Sequence, residues 1–137
     1  MKRAEIREYV FKLLYCTEFH EDEDLQKQYR LYMENLEQLG EIKEIKEKDK
    51  EYIINRVTDI VSRIDDIDKK IDKVAVSWKT DRMAKADLNI LRLAYYEMNI
   101  DDDIPKPVAV DQAVELAKKY GTDDSPSFVN GVLAKLF

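Results

Sequence analysis

The chain has 137 residues, 45% hydrophobic and 38% charged, with a formal net charge of −6. This length suits one ordinary domain or two small bundles, no apolar run of about 20 residues could span a membrane, and three glycines with three prolines are too few for a fold of many tight turns. Cys16 is the single cysteine, which excludes an intramolecular disulfide or a CxxC redox pair and reads as a small packing residue.

The amino terminus, MKRAEIREYVFKLL, is charged and amphipathic. A secretory leader would set its basic residues before an unbroken apolar stretch, so the chain is expected in the cytoplasm. Ile6, Val10, Leu13, Leu14 and Thr17 fall on one helical face, with Lys2, Arg3, Arg7 and Tyr15 away from it or at its margin. Residues 1–15 hold four cations against two acids, and this is the only locally basic helix. After an acidic break at 20–24, Leu25, Tyr29, Tyr32, Met33 and Leu36 predict a second helix. Gly40 and the charged run 41–50 predict a connection. The longest seam follows: Ile53, Val57, Ile60, Ile64, Ile67, Ile71 and Val74, either one helix or two with a break near residues 65–66.

Thr80 or Asp81 is placed to cap the next helix, which carries Leu88, Leu91, Tyr95 and Met98. A loop over 101–106 leads to Pro107 in the first turn of another helix, with Val110, Ala113, Val114 and Ala117 on its face and Gly121 as its stop. Ser125 is expected to cap a last helix that has Pro126 at its first position and Phe128, Val129, Val132, Leu133 and Leu136 along one side. No segment sustains a period of two. The expectation is an all-α fold of six or seven helices.

Catalysis needs constellations that this chain lacks. Histidine occurs once, at His20 among acids, which reads as a solvated loop residue and leaves no Ser–His or Cys–His pair. His/Cys metal ligation is excluded by count. Glycine at 40, 121 and 131 alone allows neither a P-loop nor a GxGxxG turn. Acid runs at 21–24, 65–72 and 101–103 lack the glycine and closing glutamate of a calcium loop. The reading is a non-enzyme without metal or cofactor.

Three groups of residues resemble the NusB family of bacterial transcription antitermination factors. The first is Arg3, Arg7–Glu8 and Leu13-Leu14-Tyr15. The second is Trp78-Lys79-Thr80-Asp81-Arg82, then Asp87 and Ile90 through Glu97. The third, the most specific, is DIPKPVAV at 103–110, AVELAKKYG at 113–121 and SPSFVNGVL at 125–133. They occur in order over nearly the whole chain, and only residues 20–50 are nondescript. The resemblance implies about seven helices in two small packed bundles, taken together as one RNA-binding domain over residues 1–137. It implies a factor that binds single-stranded boxA RNA together with NusE, a small-subunit ribosomal protein. Such factors join RNA polymerase and other Nus factors and suppress premature termination in ribosomal RNA operons.

Carried onto this chain, Lys2, Arg3 and Arg7 would contact phosphate or bases. Tyr15 and Phe128 would stack on or flank unpaired bases, and Asp124 would accept a base-edge hydrogen bond. Trp78, Arg82 and Asp87 would face NusE. Each has a plainer alternative: a solvated terminus for Lys2 and Arg3, an internal ion pair for Arg7, core packing for Tyr15, Phe128 and Trp78, and a helix cap for Asp124. Arg92, between two leucines, reads as a structural ion-pair partner.

Two departures remove positive charge from the expected RNA face. Ala4 and Glu5 interrupt the basic cluster, and Ser127 stands where many relatives carry lysine. Affinity for RNA alone should then be modest and reliance on NusE greater. An RNA-binding extension of a ribosomal RNA cytosine methyltransferase fits poorly, because residues 1–137 leave no room for a cofactor-binding catalytic domain. A protein-binding adapter or homodimer with little RNA binding of its own is the second alternative.

Overall fold

Apolar residues at helical spacing form helices where the sequence sets them. The structure, a computed structural model, describes residues 1–17, 25–40 and 45–137. His20, the acidic run at 21–24 and part of the charged connection, 41–44, lie outside the described residues. Seven α-helices and one 3₁₀ turn, with no strand among the described residues, fall into two compact units, Met1–Val61 and Ser62–Phe137. Among the described residues, no helix is long and apolar enough to cross a membrane.

The first unit holds α1 (Arg3–Thr17), α2 (Leu25–Gln38) and all but the last residue of α3 (Glu47–Ser62). Val10, Phe11, Leu13 and Leu14 of α1, Tyr29 and Met33 of α2, and Ile53, Ile54, Val57 and Ile60 of α3 are buried. Polar links tie these helices. The Thr17 hydroxyl donates to the Leu13 carbonyl at 3.0 Å, so the Tyr29 hydroxyl, 2.6 Å away, donates to Thr17. Glu37 accepts from the Ile45 N–H at 3.3 Å and pairs with Lys50 at 2.9 Å. Gly40, just past α2, has φ +72°, a conformation that favours glycine. Cys16 is half-buried, and burial pushes its thiol pKa up, away from the reactive thiolate.

The second unit holds α4 (Ile64–Val74), the 3₁₀ turn (Thr80–Arg82), α5 (Lys85–Asn99), α6 (Lys106–Tyr120) and α7 (Ser125–Leu136). The isoleucine seam therefore breaks, at Arg63, two residues before the expected place. Arg63 has φ −111° and ψ 5°, which interrupts the helical path, and no side chain caps α4. Helix α5 is buried on successive faces, from Leu88 through Ala94, with α4, α6 and α7 packed around it. Ala109, Ala113 and Ala117 are the buried small residues of α6, and they allow close approach to α5 and α7. Arg92 of α5 pairs bidentately with Asp68 of α4, at 2.9 and 2.8 Å, and donates to Asn89 at 3.1 Å. It is the structural ion pair that its position between leucines suggested.

Three expected caps act otherwise. Helix α5 starts only at Lys85, with Ala84 preceding it and no side-chain cap, so neither Thr80 nor Asp81 caps it. Asp72 of α4 captures Thr80 through its backbone N–H (2.7 Å) and hydroxyl (3.1 Å). Ser125 is the first residue of α7, and its buried hydroxyl accepts the Thr122 N–H at 2.9 Å. Gly121 does end α6, but at φ −96°, outside the left-handed region. Its glycine is required by contact, because a Cβ there would collide with the Ser125 side chain.

Candidate nucleic-acid and partner interface

Four of the residues singled out for binding lie in the first unit. Lys2 and Arg3 are exposed at the start of α1. Arg7 is buried, with 9% of its surface accessible, and interacts within the fold. Arg7, Val10, Phe11 and Leu14 follow the i, i+3, i+4, i+7 spacing of a single face, the signal that its charge obscured. Tyr15 is half-buried, with its ring 6.2 Å from that of Phe11 and tilted by 48°. The amino-terminal ammonium lies 3.8 Å from Asp49 of α3.

The other five share one cleft in the second unit. Trp78, Arg82, Asp87, Asp124 and Phe128 line an open cleft of about 190 Å³, with Met83, Ala84, Thr122 and Ser125 completing its wall. Three chain segments build it. The first is 78–84, the loop and 3₁₀ turn before α5. The second is the first turn of α5, where the helix dipole favours the Asp87 carboxylate. The third is the turn from α6 into α7, held by the Thr122–Ser125 hydrogen bond.

Chemically the cleft combines aromatic faces, a cation and two acids. Trp78 is 55% exposed, so the plainer alternative of core packing does not hold for it. Phe128 is half-buried. Arg82 and Asp124 are exposed, and Asp124 makes no capping hydrogen bond to α7. Asp87 is buried, and its Oδ1 is the buried side-chain oxygen without a hydrogen-bond partner among the described residues. An unpartnered buried carboxylate oxygen is costly unless a ligand supplies the donor. Sequence alone gave no sign that Thr122 and Ser125 join the cleft wall, because it is the α6–α7 turn and not any motif that brings the buried Ser125 hydroxyl to the Thr122 N–H. Among the described residues no group of His, Cys, Asp and Glu is arranged to hold a metal ion.

Comparison with known proteins gives a consistent answer. The NusB family profile matches residues 4–137. The transcription antitermination protein NusB of Agathobacter rectalis is 45% identical over 135 residues, covering 98% of each chain. That of Lachnoclostridium phytofermentans is 44% identical over 136 residues, covering 99% of this chain and 98% of its own. Among solved structures, T. maritima NusB superposes with a TM-score of 0.83 at 36% identity, over 99% of this chain and 90% of the other. A crystal structure of the antitermination factors NusB and NusE in complex with double-stranded RNA matches with a TM-score of 0.77 at 25% identity, over 99% and 97%. On sequence, length and helical architecture together, the chain belongs to the NusB family, whose members are transcription antitermination factors and not enzymes.

Proposed function

We propose that this chain is a cytoplasmic antitermination factor that binds boxA RNA together with NusE and promotes antitermination in ribosomal RNA operons, within a transcription complex of RNA polymerase and other Nus factors. The observation that carries the reading is the cleft. It gathers Trp78, Arg82 and Asp87 with Asp124 and Phe128, and leaves the buried Asp87 Oδ1 without a partner. Trp78, Arg82 and Asp87 take NusE, with a donor from NusE meeting Asp87. Phe128 stacks on an unpaired base while Asp124 accepts from a base edge. Tyr15 offers a second aromatic face. Because Arg7 is buried and engaged within the fold, Lys2 and Arg3 carry most of the accessible charge toward phosphate, with Arg7 beneath them.

The balance of charge supports a two-component complex. Lys2 and Arg3, on a chain of net charge −6, give weak attraction for RNA by themselves. NusE therefore supplies affinity, and the cleft supplies geometry. The test is a titration of boxA, scrambled and double-stranded RNA, with and without NusE. The reading expects boxA single strand to bind best, and only weakly when NusE is absent. Arg3→Ala should reduce the salt slope by roughly 0.7, the increment for one phosphate on a single strand. Phe128→Ala, once shown to be folded, should cost roughly 1–3 kcal/mol in affinity with that slope unchanged. No preference for boxA even with NusE present would leave a protein-binding adapter as the better reading.

A further inference from the structure

Asp72 lies far along α4, outside the cleft wall, yet three hydrogen bonds join it to the loop that enters the cleft. Its Oδ1 accepts the Thr80 N–H at 2.7 Å and its Oδ2 the Thr80 hydroxyl at 3.1 Å. Its backbone carbonyl accepts the Lys79 ammonium at 2.7 Å. One residue thus grips two consecutive residues across the loop that leaves α4. The other end of the loop is fixed by Ala75, which is buried and whose N–H bonds to the Ile71 carbonyl at 2.9 Å. Between these anchors the chain exposes its two large apolar side chains, Val76 (74%) and Trp78 (55%).

A tryptophan turned to water on a loop pinned at both ends is costly in the free protein and useful only to a partner. Holding such a side chain in place beforehand removes the ordering cost from the binding step. The grip also sets the start of the 3₁₀ turn, through the Arg82 N–H to the Lys79 carbonyl (2.9 Å) and the Met83 N–H to the Thr80 carbonyl (3.4 Å). That turn delivers Arg82 and Met83 to the cleft wall. We infer that Asp72 is a positioning residue, a latch that closes on Thr80 and presents Trp78 and Arg82 to the protein partner. The inference rests on the reading of Trp78 as a NusE contact, and the experiment separates the two.

Trp78 is the sole tryptophan, so intrinsic fluorescence reports on this loop without any ligand. In the full chain, Asp72→Ala, which keeps the backbone carbonyl that Lys79 meets, should shorten the local correlation time of Trp78 in time-resolved anisotropy and weaken NusE binding about tenfold, the scale expected when the two side-chain hydrogen bonds that pre-order the loop are lost. Thr80→Val, which keeps the backbone N–H bond, should fall between that variant and the parent, and Thr80→Ser should restore the parent on both measures. A purely structural role for Asp72 would not produce that graded order. Should Asp72→Ala fail to fold, the comparison of Thr80→Val with Thr80→Ser carries the test alone. Unchanged Trp78 anisotropy in the folded variants overturns the latch, whatever NusE does. Loosened anisotropy with unchanged NusE affinity also overturns it, provided Trp78→Ala does weaken NusE binding. If Trp78→Ala binds NusE like the parent, the contact reading fails first, and the latch has nothing to position.

Discussion

The two units solve the same problem by different means. Unit 1 joins helices with large side chains and polar ties: the Thr17–Tyr29 hydroxyl pair, the Glu37–Lys50 bridge and the exposed Arg30–Glu47 pair. A groove of about 250 Å³ lined by Leu13, Cys16, Tyr29 and Tyr32 remains between α1 and α2. Unit 2 brings its helices closer, through the alanines of α6, around an α5 that is buried on almost every face. Its polar groups are used in pairs, Arg92 with Asp68 and Asp72 with Thr80. The exception is Asp87, and it lies in the cleft. A close-packed unit can hold a costly, unsatisfied group in fixed geometry, and the candidate cleft lies in the unit whose helices pack most closely.

Core truncations offer the largest way to break this contrast. Leu91→Ala in α5 and Ile60→Ala in α3 remove fully buried side chains, and each should cost roughly 2–5 kcal/mol by denaturant unfolding. Leu91 is expected nearer the upper end, because its crowded neighbours have little room to collapse into the void. Equal losses, or a larger one at Ile60, would erase the difference in packing. Ile64, only half-buried in α4, should lose roughly 1–2 kcal/mol on truncation.

Ion pairs sharpen the contrast on a smaller scale. Asp68→Ala leaves the Arg92 guanidinium largely buried without its carboxylate, and should cost about 3 kcal/mol, the lower end for a broken buried pair because Asp68 is partly exposed. Glu47→Gln, at the exposed pair with Arg30 in unit 1, should leave the denaturant midpoint nearly unchanged. Acidification should also register in unit 1. The Lys50 hydrogen bond holds the Glu37 carboxyl below its ordinary pKa. A carboxylate depressed in the folded state stabilises at neutral pH, and that contribution disappears as pH falls through the lowered value. Glu37→Gln should therefore flatten the acid limb of the stability profile, measured by thermal melts across pH; an unchanged limb would show that the bridge carries no weight.

Helix phases were legible in the sequence because apolar spacing alone decides them: Val10, Leu13 and Leu14, then Ile53, Val57 and Ile60, and Val129, Val132 and Leu133 are buried as their periods required. Loop chemistry was less legible. Thr80 and Ser125 are residue types that cap helices, but each has a closer competitor, the Asp72 carboxylate for one and the Thr122 N–H for the other. Gly121 reads as a stop for conformational reasons and is needed for a steric one. At the candidate site, family motifs brought out the right neighbourhood of unit 2, but no spacing rule shows that residues 78–87 and 122–128 meet in one cleft. Nor does sequence reveal burial that leaves a carboxylate oxygen unpaired, since that depends on every segment around it.

Asp87→Asn should move partner binding and stability in opposite directions. An unpartnered buried polar group costs roughly 1–3 kcal/mol and more when it is charged, so the amide, though still unpartnered, costs less than the carboxylate. The helix dipole returns only about 0.3–1 kcal/mol to the carboxylate at the start of α5. Neutralising it should stabilise the free chain by about 1 kcal/mol and weaken NusE binding at least about tenfold, since the donor that meets Oδ1 loses a charged acceptor. Calorimetric melts and a NusE titration on the same preparation give both numbers. A destabilised variant that binds NusE as tightly as the parent would contradict the account.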